Sequence, residues 1–223
     1  MAIRWLHVLL GTIWIGLLYS SNLRGPQAAA PDTDNAPDRR REPLWLGGFP
    51  WSAGGTVLFG AAYLALVERH RRLARLALSP YETTILTGSA LGVTMFINAL
   101  VFWLARKRPA AADLTRALAQ PAPAVREADR RAMLATRTNV LLSIPMLFFM
   151  VAASHYRLFP HLSTAQATAW FATVGSTIVV LELNALLGLG KTGERLLGTV
   201  GGAVGSGFAV WALLFVISKM LFA

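Results

Sequence analysis

The chain has 223 residues, of which 55% are hydrophobic and 14% charged, and its formal net charge is +10. The apolar stretches are too long and too many for the core of a soluble domain, so the composition indicates an integral membrane protein. The sequence contains no cysteine, which excludes disulfides, thiolate metal sites and covalent haem attachment through a CxxCH motif. The arginines stand at the ends of apolar segments, as in cytoplasmic loops, so no nucleic acid is expected as a partner.

Six apolar segments alternate with polar connections. Each apolar segment is long enough to cross about 30 Å of hydrocarbon as a helix. The predicted fold is an all-α, polytopic membrane helical bundle that forms a single domain in the lipid bilayer. Its six transmembrane helices are expected at residues 2–23, 45–67, 82–105, 133–155, 165–187 and 196–222. Residues 24–44 and 106–131 are expected as surface loops, the second with helical pieces that lead into the fourth span.

The basic residues predict the orientation of the bundle. An even number of spans places both termini on one side of the membrane. With the termini outside, most of the Lys and Arg residues fall in the inner connections, although a run of arginines from Arg69 to Arg75 then lies outside. The positive-inside rule therefore favours periplasmic termini in a bacterial inner membrane.

One acidic residue, Glu182, lies in the interior of a predicted span. An unpaired charge in hydrocarbon costs several kcal/mol, so such a residue is expected to have a partner. By parity Glu182 lies in the same inner half of the membrane as Asn98, Arg137 and Asn139. We predict a buried polar cluster of these four residues, with Arg137 paired to Glu182. Two interpretations stay open: a structural ion pair that fixes the register of the helices, and a proton route or quinone-head site.

Three segments resemble a known family. They are RWLHVLLGTIWIGLLY (residues 4–19), GVTMFINALVFWLARK (residues 92–107) and RTNVLLSIPMLFFMVAASH (residues 137–155). They are similar to the N-terminal membrane domain of the bacterial membrane-bound urate oxidases, whose full-length members end in a cytochrome c domain. The first segment also resembles membrane haem proteins of the bacterial protoporphyrinogen oxidase type. Two departures are that the sequence has no cytochrome c domain and that Leu86 stands where some members are expected to have histidine.

The resemblance covers most of the chain and implies a b-haem membrane domain. Such a domain would pass electrons from an oxidisable substrate, for example a purine, to an external cytochrome c. An alternative from a different class is a non-catalytic accessory or structural subunit of a larger membrane bioenergetic complex. Four glycines of the sixth span, in two overlapping small-xxx-small spacings, would suit either docking on that complex or packing within the chain: Gly198, Gly201, Gly202 and Gly205.

Two histidines are the candidate axial ligands of haem b. His7 lies near the start of the first span and His155 near the end of the fourth, so parity places both imidazoles at one membrane face, here the outer one. Gly11, one turn from His7, and the alanines before His155 are small enough to leave space for a porphyrin. Two imidazoles on one iron would suit electron transfer, because no position stays open for substrate. The alternative is that each histidine is an interfacial hydrogen-bonding residue.

Overall fold

The computed structural model describes residues 1–23, 44–68, 79–107, 123–187 and 196–222. Six long helices occur in these ranges, and no strand does. They are α1 (Ala2–Leu23), α2 (Leu44–Glu68), α3 (Pro80–Lys107), α4 (Pro123–His155), α5 (Thr164–Leu187) and α6 (Val200–Phe222). All six contain a segment long and apolar enough to cross a membrane. The predicted all-α, multi-pass membrane architecture is therefore confirmed.

The observed bounds differ from the predicted spans mainly at α4 and α6. Helix α4 begins at Pro123, so part of the predicted loop at residues 106–131 is continuous with the fourth span. The rest of that loop, at residues 108–122, and residues 24–43 of the first loop lie outside the described residues. Helix α6 begins at Val200 because Thr199 caps it: the Gly202 amide donates to Thr199 Oγ1 at 3.0 Å.

Two helices begin at capping boxes. Before α3, the hydroxyl of Ser79 accepts from the Glu82 amide at 3.3 Å and donates to the Glu82 carboxylate. Before α5, the Ser163 amide donates to Gln166 Oε1 at 2.9 Å, and the Gln166 amide donates to Ser163 Oγ at 3.3 Å. Both pairs supply partners to backbone groups that the first helical turn leaves unpaired, which fixes where each helix begins.

The chain divides into two compact units, Met1–Leu64 and Ala65–Ala223, and that they form a single domain stays a prediction. The first unit contains α1 and most of α2. Within it, a Cβ added at Gly55 would come to 2.7 Å from Leu10 Cδ1. Glycine at this position of α2 therefore allows a close approach to α1. Trp14 and Leu18 of α1 are fully buried.

Helix α4 is the centre of the second unit. Of its membrane-spanning segment, 61% is buried, compared with 33% for α3 and 17% each for α5 and α6. It contacts α3, α5 and α6, and α5 also contacts α3. The other helices of this unit present exposed apolar side chains, among them Val180 of α5 and Phe208 of α6. This arrangement fits a bundle whose outer faces meet lipid and whose central helix meets other helices.

Candidate functional site

Three polar side chains from three helices form one hydrogen-bonded chain inside the second unit. Asn139 of α4 donates from Nδ2 to the carbonyl oxygen of Met95 in α3 at 2.9 Å. Asn98 of α3 donates from Nδ2 to Asn139 Oδ1 at 3.1 Å and to Glu182 Oε1 of α5 at 2.8 Å. We call Asn98, Asn139 and Glu182 the polar chain. It joins α3, α4 and α5 at one level of the bundle.

The partners of the polar chain determine how both amides are oriented. The Met95 carbonyl can only accept a hydrogen bond, so Asn139 turns its NH₂ group to it and its oxygen toward Asn98. Asn98 must then turn its own NH₂ group toward that oxygen, and the second hydrogen of this group reaches Glu182. Glu182 Oε1 therefore accepts a hydrogen bond from an uncharged amide, and neither amide donates to Oε2.

Arg137 is not a member of the polar chain, so the predicted pairing with Glu182 is wrong. Its Nη1 donates to the carbonyl oxygen of Leu197 at 3.3 Å. Among the described residues its buried Nε has no hydrogen-bond partner, and no ion pair joins it to Glu182. The reason is helical geometry: two residues correspond to a rotation of about 200°, so Arg137 leaves α4 on nearly the opposite side from Asn139.

His7 lies half-buried in the first unit, against α2. Its Nδ1 is 2.8 Å from the carbonyl oxygen of Thr56, which can only accept, so Nδ1 is the donor and Nε2 is the nitrogen that could bind a metal. A Cβ added at Gly60 would come to 2.8 Å from both Cε1 and Nδ1 of the imidazole. The ring is therefore fixed in one tautomer and packed over Gly60, which is how a metal-ligating histidine is commonly held.

Gly11, the small residue predicted beside His7, lies next to α2. A Cβ added at Gly11 would lie 3.5 Å from Thr56 Cγ2, which is ordinary van der Waals contact. Gly11 therefore lies against the same residue of α2 whose carbonyl binds His7. Neither Thr56 nor Gly60 was predicted from the sequence. Thr56 acts through its backbone carbonyl, which every residue has, and the role of Gly60 depends on how closely α1 and α2 pack.

His155 lies at the end of α4 and is exposed. Its Nδ1 is 3.1 Å from the carbonyl oxygen of Val151 in the preceding turn, which again leaves Nε2 as the free nitrogen. Ala152 and Ala153, expected to make room for a porphyrin, are buried. His7 and His155 belong to different units, and that they bind one iron stays a prediction.

A haem iron and a metal ion held by protein ligands alone differ in the number of side chains that they need. Within the described ranges, no group of three or more His, Asp or Glu side chains is arranged to hold a metal ion. A haem iron needs only one or two axial ligands from the protein, and neutral imidazole is a common one. The free Nε2 atoms of His7 and His155 fit that requirement.

The four glycines predicted as a packing surface do not share one environment in the structure. Gly198 precedes α6, and the Cβ position of Gly202 is blocked by the carbonyl oxygen of Leu196. Nothing lies within 4 Å of a Cβ added at Gly201 or Gly205, and both are exposed. Gly201 and Gly205 therefore face open space.

Comparison with known proteins found no matching family model, no matching curated protein and no matching solved structure. The likeness to urate oxidase membrane domains therefore rests on the sequence segments alone.

Proposed function

We propose that the protein is a b-haem-binding membrane protein, similar to the membrane domain of urate oxidases, that transfers electrons to an external cytochrome c. The observation that supports it best is the 2.8 Å contact of His7 Nδ1 with the Thr56 carbonyl. This hydrogen bond favours the tautomer with the proton on Nδ1, which leaves Nε2 for an axial position. When bound, haem supplies one-electron redox chemistry.

In this proposal the residues of the first unit hold and orient the ligand. Thr56 fixes the tautomer of His7, and Gly60 leaves the space that the ring occupies. His155 is the second proposed ligand, with its Nδ1 bound to Val151 of its own helix. Two imidazole ligands leave no open coordination position, so electron transfer is favoured over direct substrate chemistry at the iron.

The test is an absorption spectrum of the purified protein and of three single histidine variants. The wild type is expected to show a Soret band and reducible, low-spin α and β bands. His7→Ala and His155→Ala are each expected to lower the haem-to-protein ratio and to lose the low-spin spectrum. His161→Ala is the matched control, because His161 lies exposed in the connection between α4 and α5. A wild type without haem, or two ligand variants with the wild-type spectrum, would contradict the proposal.

The second candidate function is a non-catalytic subunit of a larger membrane complex. The exposed Gly201 and Gly205 favour it, because small residues on a lipid-facing helix allow another helix to approach closely. Native mass spectrometry of membranes solubilised in mild detergent would test this function. A haem-free protein of 24.1 kDa that runs as part of a larger assembly would support it, and a haem-loaded protein without partners would contradict it.

We also infer a bacterial inner membrane location with periplasmic termini, which rests on the distribution of Lys and Arg. A C-terminal epitope tag is expected to be removed when protease is added to intact spheroplasts. A tag that external protease cannot reach, while a periplasmic marker is cleaved, would reverse the orientation.

A further inference from the structure

Glu182 is held by a neutral partner. It is half-buried in α5, a helix with exposed apolar residues on its outer face, and its Oε1 accepts from Asn98. An ionised carboxylate in hydrocarbon without a cation is strongly unfavourable, and a single amide donor offsets only part of that cost. At this position the protonated carboxylic acid is therefore favoured over the ionised carboxylate.

The charged and titratable side chains described on the two helices that contact α5 do not supply a counter-ion. On α3, Glu82 stands at the beginning of the helix in the capping box with Ser79. On α4, His155 stands at the opposite end, and Arg137 binds the carbonyl of Leu197. The groups that Glu182 meets in the polar chain are uncharged amides.

We propose that Glu182 is a proton-binding site within the membrane. The proton resides on Oε2, because the Asn98 NH₂ group donates to Oε1. A metal cation fits less well, because it prefers oxygen ligands. Asn98 presents its NH₂ group to Glu182, and the side-chain oxygen of Asn139 already accepts a hydrogen bond from Asn98. This inference does not depend on haem, so it can fail or succeed independently of the proposed function.

The position of Glu182 in α5 determines the side from which protons enter. Glu182 lies about 7–8 Å before the end of the helix at Leu187 and about 27 Å from its beginning at Thr164, at 1.5 Å per residue. Exchange therefore takes place with water on the side where α5 ends. On the proposed orientation this is the cytoplasmic side.

The test is infrared spectroscopy of the full chain in membranes. At neutral pH the wild type is expected to show the C=O stretch of a protonated carboxylic acid, which moves to lower frequency in D₂O. Glu182→Gln is expected to lose this band. Glu82→Gln is the matched control and is expected to keep it, because Glu82 belongs to the capping box of α3.

A second variant identifies the site even where Glu182→Gln fails to fold. Asn98→Leu removes the donor at Oε1, so the C=O stretch is expected to move to higher frequency. Thr94→Val on the same helix is the control, because the Thr94 hydroxyl bonds only to Ala90 of its own helix. Absence of the band from the wild type at neutral pH, its survival in a folded Glu182→Gln protein, or an unchanged frequency in folded Asn98→Leu protein would overturn the proposal.

Discussion

The indole Nε1 of Trp170 in α5 donates a 2.8 Å hydrogen bond to Thr87 Oγ1 in α3, and both side chains are fully buried. The Thr87 hydroxyl donates in turn to the Thr83 carbonyl at 2.8 Å. Replacing Thr87 with valine keeps the shape but leaves the indole N–H buried without an acceptor. We expect a loss of about 1–3 kcal/mol in the free energy of unfolding, measured as a lower midpoint of unfolding in detergent.

A double-mutant cycle separates this hydrogen bond from packing. Phenylalanine at position 170 has no N–H group, so Thr87→Val is expected to cost much less in the Trp170→Phe protein than in the wild type. An equal cost in both backgrounds would show that the hydrogen bond does not stabilise the contact between α3 and α5.

Gly207 is the glycine through which α6 approaches α4. It is buried, and a Cβ added there would come to 2.6 Å from the carbonyl oxygen of Leu141 and 2.8 Å from Ile144 Cδ1. Gly207→Ala must therefore separate the two helices, and we expect it to lower the free energy of unfolding by about 1–3 kcal/mol. Gly205→Ala is the matched control: it faces open space and is expected to be neutral or stabilising by up to about 1 kcal/mol, because alanine favours the helix. Unfolding of both variants in the same detergent makes the comparison, and equal stabilities would contradict the close contact.

Two further double-mutant cycles test the partners of Glu182. Asn98→Leu and Glu182→Leu, each of which removes the hydrogen bond between the two side chains, are expected to couple by roughly 0.6–1.7 kcal/mol, the range for hydrogen bonds between membrane helices. Arg137→Gln and Glu182→Gln are expected to be additive within about 0.5 kcal/mol, because Arg137 binds Leu197 instead. A larger coupling for the Arg137 cycle than for the Asn98 cycle would restore the ion pair that the sequence predicted.

Gly60 tests the proposed haem ligand without changing a histidine. A side chain at this position would meet the imidazole of His7, so Gly60→Val is expected to displace the ring and reduce the haem-to-protein ratio several-fold. Gly16→Val is the control, because nothing lies within 4 Å of a Cβ added at Gly16. Pyridine haemochrome spectra of equal amounts of protein provide the measurement. Full haem content in Gly60→Val would mean that the contact with α2 does not position the ligand.

The length and apolar character of six segments were enough to predict the six helices. A run of apolar residues long enough to cross hydrocarbon has to form a helix, because lipid offers no partners for the backbone. The same reasoning placed Asn98, Arg137, Asn139 and Glu182 in the same inner half of the membrane, since parity and the rise per residue suffice for that. The structure joins Asn98, Asn139 and Glu182 by hydrogen bonds.

Which side chains meet depends on how the helices pack, and the sequence did not reveal it. Arg137 has the depth expected of a partner for Glu182, but the rotation of α4 turns it to Leu197. Gly207, which the spacing of small residues did not single out, lies against α4. His7 and Arg137 both bind backbone carbonyls. Every residue has such an acceptor, so composition and spacing do not distinguish one carbonyl from another, and the partner depends on how the helices are rotated and packed.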